Sequence, residues 1–239
     1  AYANGKDTLV VVSSHSGNTE ESLSALSAAI QNRCQVVVLS TGGKLLSAAT
    51  GAGISSWTFE HHGQPRAAVG YSFGLLLALM VRLGLISDPS QEVDNAVQVM
   101  QEQKKRLMVE IPVNGNPAKR LAGQMVGRDV TIFGSGHLAA VARRWKTQIN
   151  ELAKAQASFE LLPEADHNTL AGSYHPEKVL EQAFKIFLQS SLDHPRNLLR
   201  SQLTRESFML QGINTDVFEA PGETRLAQMW SAVQFGDYA

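Results

Sequence analysis

Short apolar runs rich in β-branched residues, such as Leu9-Val-Val-Val12 and Val36-Val-Val-Leu39, alternate along the chain with segments whose apolar residues recur at helical spacing. A run with no polar alternation suits a strand covered on both faces, and helices between such strands supply the cover, so the pattern demands parallel sheets flanked by helices. The fold class is α/β. Strands are expected over 8–14, 36–40, 54–60, 130–133, 158–162, 184–188 and 216–218. Helices are expected over 18–30, after Thr41-Gly-Gly43, from Pro65, over 90–109 and 118–126, and from the Gly134-Ser-Gly136 turn to about Lys154. The turn-rich Ile111-Pro-Val-Asn-Gly-Asn-Pro117 is the best internal boundary. The expected division is a first subdomain over 1–89, a connecting helix and linker over 90–117, and a second subdomain over 118–239.

Charged residues make up 18% of the 239 and the formal net charge is −1, which leaves no broad basic field for nucleic acid or an anionic membrane. An anionic ligand would have to be small and locally recognised. The single cysteine, Cys34, cannot form an internal disulfide and reads as a small core residue, which fits a reducing compartment and makes the cytoplasm the default. The uncharged stretch from Ala67 to Val81 falls short of the roughly 20 residues a membrane-spanning helix needs and is expected to be a buried helix. Within 90–109, Val93, Val97, Met100 and Leu107 mark the apolar stripe. In the long helix after Gly136, Trp145, Ile149 and Leu152 do so, with the charges of Arg143-Arg-Trp-Lys146 on the wet face.

The segment richest in chemistry is Ser13-Ser-His-Ser-Gly-Asn-Thr-Glu-Glu21, where the first strand ends and a helix begins. The first amides of a helix are unpaired and its dipole is positive there, so an anion is held with little further help. Hydroxyls of Ser14, Ser16 and Thr19 add donors, and Gly17 lets the backbone approach closely. The plain alternative, Asn18 or Thr19 capping the helix, leaves Ser14, Ser16 and Gly17 unexplained. The loop lacks the lysine and spacing of a nucleoside-triphosphate loop.

Four segments taken together resemble the bifunctional phosphoglucose/phosphomannose isomerase family, built of two sugar isomerase (SIS) subdomains. They are Ser14-His-Ser-Gly-Asn-Thr-Glu-Glu21, Gln64-Pro-Arg66, Ala142-Arg-Arg-Trp-Lys-Thr-Gln-Ile-Asn-Glu151 and Pro163-Glu-Ala-Asp-His-Asn168. Their order and spacing agree over essentially the whole chain, with His15 standing where an aromatic is common. The resemblance implies two SIS-type subdomains, each a parallel sheet flanked by helices. It implies an aldose-ketose isomerase interconverting glucose 6-phosphate and/or mannose 6-phosphate with fructose 6-phosphate through an enediolate, with no metal and no organic cofactor. A further glycine-serine phosphate loop and a lysine-bearing C-terminal segment of the family would lie outside these 239 residues.

The same resemblance maps the catalytic base onto Glu164. The position fits, because a carboxylate just after a strand lies at the sheet edge where open α/β folds keep ligands, and partial burial there would suit it to proton transfer. Arg66 is expected to stabilise oxyanion charge, and Ser14, Ser16, Gly17 and Thr19 to hold the phosphate. A ring-opening histidine donated by the neighbouring subunit is also implied, hence a homodimer; His194 is the candidate, with His175 as fallback and a helix-start role as the alternative. His167 and Asn168 are expected to order the loop around Glu164. His61, His62 and His137 show no partner pattern, and no spacing makes a metal site. Two other readings compete: a catalytically silent SIS module that senses a phosphosugar, and an NAD-binding oxidoreductase built on the turn Gly134-Ser-Gly136.

Overall fold

The computed structural model describes residues 5–239, and its contacts divide the chain into two compact units, 1–88 and 89–239.

In the first unit the apolar runs become strands β1 (Leu9–Ser14), β2 (Gln35–Ser40) and β3 (Ser55–Thr58), all parallel in the order β1-β2-β3. Helices α1 (Glu20–Gln31) and α2 (Gly43–Gly51) make the crossovers. Val10 and Val36 lie side by side in the ladder and share a face with Val12 and Val38; Leu26, Leu45 and Ala49 of the two helices close over it to form this unit's core. β3 is shorter at both ends than the sequence suggests, and α1 begins at Glu20 rather than Asn18 because residues 15–18 form a loop with bonds of its own.

After β3 a 3-10 turn (Pro65–Ala68) leads into α3 (Val69–Arg82). The expectation of a buried helix fails here. Among the described residues of α3 only Leu79 is buried, while Tyr71, Leu76 and Met80 are 48%, 38% and 41% exposed. A helix apolar on all sides cannot bury every side against a three-stranded layer, so much of its apolar surface remains open. Cys34 also departs from its reading: it precedes β2 and is only half-buried.

The second unit starts with α4 (Ser90–Leu107) and α5 (Pro117–Met125). Its parallel sheet contains β4 (Asp129–Gly134), β5 (Ala157–Leu161), β6 (Ala183–Gln189) and β7 (Asn214–Glu219), in the order β5-β4-β6-β7. The helices α6 (Ala139–Gln148), α7 (Glu164–His167), α8 (Glu177–Leu180), α9 (Pro195–Leu210) and α10 (Arg225–Tyr238) complete it. Val130, Ile132, Phe184 and Ile186 face a core shared with Leu107, Leu121, Trp145 and Phe235; Phe133 and Phe187 face a second core with Phe208. Both faces are covered, which explains why β4 and β6 are largely apolar on both faces, with Thr131 and Lys185 as buried polar exceptions.

Helix α4, read from sequence as a connector, packs within this unit, where Gln103 donates to the Ser231 carbonyl (2.8 Å) and to Gln234 (2.9 Å) of α10. Asn116 locks the α4–α5 corner. Its Oδ1 caps α5 by accepting the Lys119 N–H (3.1 Å), while its Nδ2 donates to the Leu107 carbonyl (3.1 Å). Leu107 of the expected stripe is buried, but Val97 is 41% exposed and Ala96 is buried in its place. α6 ends in a π turn (Ile149–Ala153) before Lys154 takes a left-handed conformation. The wider turn shifts the angular phase, and Leu152, expected on the buried stripe with Trp145, is 50% exposed.

Candidate functional site

At the carboxyl end of β1 the hydroxyl-rich loop folds back on itself. Ser14 is buried, its Oγ lies 3.0 Å from Thr19 Oγ1, and it accepts the Gly17 N–H at 3.1 Å. Ser16 Oγ accepts the Asn18 N–H at 3.2 Å. Thr19 is the N-cap of α1 by position, yet its side chain makes no capping bond and turns to Ser14 instead. The first-turn amides of α1 are therefore not capped by the Thr19 side chain, and this arrangement suits an anion.

The β2–α2 turn holds this loop from outside. Leu45 N–H donates to the Gly17 carbonyl (2.8 Å), Lys44 N–H to Asn18 Oδ1 (3.1 Å), and Thr41 contributes both its N–H (3.1 Å) and its hydroxyl (2.6 Å) to the His15 carbonyl. Gly17 has φ +67°, and a Cβ built on it would run into the Gly42 carbonyl, so only glycine fits. Arg66, in the 3-10 turn that leads out of the β3 end of the same unit, is half-buried.

In the second unit Glu164 opens the one-turn helix α7 at the carboxyl end of β5. Leu162 and Ala165 on either side are buried, and Asp166 accepts the Thr204 hydroxyl (2.6 Å) and pairs with Arg200 (3.7 Å). Glu164 itself is exposed, so the expected partial burial is not found: the pinned neighbours turn inward and leave this carboxylate on the lip. Asn168 Nδ2 donates to Glu164 Oε1 at 3.0 Å, the ordering role anticipated for it; His167 is exposed.

β4 has β5 on one side and β6 on the other, so the loops after β4 and β6 diverge from neighbouring strands, a position at which α/β sheets characteristically hold ligands. The first loop carries Ser135 and Gly136, the second Asp193 and His194. The Asp193 carboxylate accepts a hydrogen bond from Ser135 Oγ and takes the His194 N–H at 2.8 Å; a Cβ on Gly136 would meet it. The glycine turn that suggested a dinucleotide site thus already holds a carboxylate of the chain itself, which would repel a pyrophosphate. His194 is the N-cap of α9, its Nδ1 accepting the Arg196 N–H (3.1 Å), so the helix-start role is real; the residue is exposed. His175 is exposed, and His137 Nε2 lies 3.3 Å from Gln228 Oε1.

Sequence reasoning missed two contacts. His61, assigned no partner, bonds to His15 at 2.9 Å, and Asp193 was not singled out at all. Neither pair has a local spacing that could reveal it; both form only when loops after different strands meet.

Residues 114–239 match the family described as bacterial phospho-glucose isomerase C-terminal SIS domain. The bifunctional phosphoglucose/phosphomannose isomerase of Caldicellulosiruptor bescii is 38% identical over 241 residues, covering 100% of this chain and 70% of that protein. The protein of the same name from Aquifex aeolicus is 30% identical over 234 residues, covering 98% and 68%. A glucose-6-phosphate isomerase like protein from Thermus thermophilus shares the fold with a TM-score of 0.70 at 18% identity, over 98% of this chain and 72% of that one.

Proposed function

The chain belongs to the bifunctional phosphoglucose/phosphomannose isomerase family, and from that premise we propose that it interconverts glucose 6-phosphate and mannose 6-phosphate with fructose 6-phosphate. The observation that carries this reading is the match to a named isomerase along the whole chain. The placement of the hydroxyl loop and of Glu164, each at a strand's carboxyl end, supports it.

In this reading Ser14, Ser16, Thr19 and the backbone around Gly17 bind the 6-phosphate, which fixes the sugar and converts much of the entropic cost of reaction into binding. His194 opens the ring through Nε2, the ring nitrogen that the helix cap does not use, with His175 as the alternative, and a histidine reaching the site from a second copy makes the enzyme a homodimer. Glu164 then takes the C2 proton of the open aldose, forming an enediolate, and returns it to C1 while a proton moves from O2 to O1. Arg66 stabilises the negative oxygen in between. Glucose and mannose 6-phosphates differ only at C2, so both pass through the same planar intermediate. No external oxidant or reductant is consumed, and the cytoplasm suits such a reaction.

Replacement of Glu164 by Gln keeps the side chain's shape and its contact with Asn168 but removes the proton acceptor. In the full-length enzyme, binding of fructose 6-phosphate should persist while turnover falls about 10²–10⁴-fold. Wild-type enzyme in deuterated water should place deuterium at C2 of the aldose product. Near-normal turnover of the variant would remove Glu164 as the base, and a silent sugar-sensing module would show binding with no turnover even in the wild type.

A further inference from the structure

We infer that His15 and His61 form a positioning pair that holds the phosphate loop in register with the segment leading to Arg66. This rests on the phosphate-binding reading of the loop and adds residues to it.

His15 is the residue after Ser14, inside the loop, and it is anchored at both ends. Its carbonyl takes the two Thr41 bonds already described, and its ring Nε2 lies 2.9 Å from Nδ1 of His61 in the loop after β3. The rings meet edge to face, with centroids 5.1 Å apart at 88°. Phe59 packs edge-on against His15 at 6.0 Å and stacks on Tyr71 of α3 at 5.1 Å, and Tyr71 in turn lies 5.8 Å from His61. The His15 side chain is thus set into an aromatic wall built from the β3–α3 connection. None of these residues belongs to the unit's apolar core, so the wall lies at the sheet edge and not in the packing that holds the unit together.

The bond pattern also assigns the protons. His61 Nδ1 accepts the Gly63 N–H at 3.3 Å as well, so it acts as an acceptor and His61 carries its hydrogen on Nε2. His15 then donates from Nε2. This directional bond ties the phosphate loop, residues 14–19, to the chain only a few residues before Arg66. Two substrate-holding elements are linked by a hydrogen bond that depends on one acceptor atom. A small displacement of a positioning group weakens ligand binding without touching the reacting atoms.

The test compares two substitutions in the full-length enzyme. His61→Phe keeps the ring and its aromatic contacts but has no acceptor; His61→Asn loses the ring but keeps an oxygen close to the Nδ1 position. For His61→Phe, both KM and the calorimetric Kd for fructose 6-phosphate should rise about tenfold with kcat within about threefold, and His61→Asn should restore both constants to within about threefold of wild type. Ser16→Ala with Thr19→Val serves as the control for the loop itself. If that double variant weakens binding while His61→Phe does not, the pair has no positioning role; if the double variant binds as wild type, the phosphate reading beneath the inference fails. Equal impairment of the Phe and Asn variants would show that the ring and not the bond matters, and would overturn the inference. Nitrogen-15 NMR of the wild-type imidazoles gives a readout independent of folding in the variants: a protonated His15 Nε2 facing an unprotonated His61 Nδ1 is expected, and the opposite assignment or two protonated nitrogens would overturn it.

Discussion

At the scale of single residues, the loop after β1 is specified by what it cannot accommodate. Gly17 combines a left-handed backbone with a carbonyl, that of Gly42, pressed against the place where a Cβ would be. Gly17→Ala should therefore destabilise the protein by about 2 kcal/mol through backbone strain and displacement of the β2–α2 turn. The same change should weaken fructose 6-phosphate binding, because the amides move with the loop. Urea unfolding and calorimetry on one preparation would check both; unchanged stability would mean the turn yields freely and the glycine is not required by the contact. The residues around Glu164 follow a complementary logic. Leu162, Ala165 and Asp166 are fixed, so that an exposed carboxylate can be held in place with its own side chain still open to a ligand.

At the scale of elements, β6 carries a group that a buried strand rarely tolerates. Lys185 lies beside Thr131 in the ladder, is 9% exposed, and donates to Thr131 Oγ1 at 2.8 Å; Ser158 donates to the same oxygen at 2.9 Å from the other side. Burial pushes the Lys185 ammonium below its ordinary range, opposed by the charges of Asp129 and Glu160. A base whose affinity for its proton is lowered in the folded state leaves the unfolded chain holding more protons between the folded value and the ordinary lysine value of 10.5. Stability then rises with pH through that window, at most by about 1.4 kcal/mol per unit, and the penalty is fully present below it. Lys185→Met removes the titration, so any stability advantage it has over wild type near neutral pH should shrink as the solution is made alkaline. Denaturant melts of both proteins across the alkaline range measure this, and a pH-independent difference would rule out a buried, titrating amine. The helices differ in how firmly sequence defined them. α5 lies within a residue of the expected 118–126, whereas α6 runs into a π turn for which the sequence has no marker, and Leu152 rotates off the buried stripe as a result.

At the scale of the whole molecule, the competing ligand classes make opposite demands on stability, because only a ligand bound by the native state raises its melting point. At a hundredfold excess over Kd, fructose 6-phosphate should stabilise the full-length enzyme by about 2.7 kcal/mol, while NAD and NADP should leave the melting temperature where it is. Stabilisation by a dinucleotide alone would favour the Gly134 turn and displace the isomerase reading, despite the Asp193 carboxylate seated there. The α/β class, most strands and the position of the hydroxyl-rich loop at residues 14–19 could be read from the sequence because each depends on short-range order: uninterrupted apolar runs, helical spacing, and hydroxyls with glycine at a strand-to-helix junction. Glu164 is singled out as the proposed base only through its resemblance to a family motif; as a lone loop carboxylate it carries no local signal. Tertiary structure decided the rest. It made His15 and His61 partners, brought Asp193 to Ser135, pinned α7 beneath Glu164, and left the apolar α3 largely open where its composition called for burial. Each of these depends on which loops lie over neighbouring strands or on how much surface a sheet can cover, and periodicity along one chain records neither.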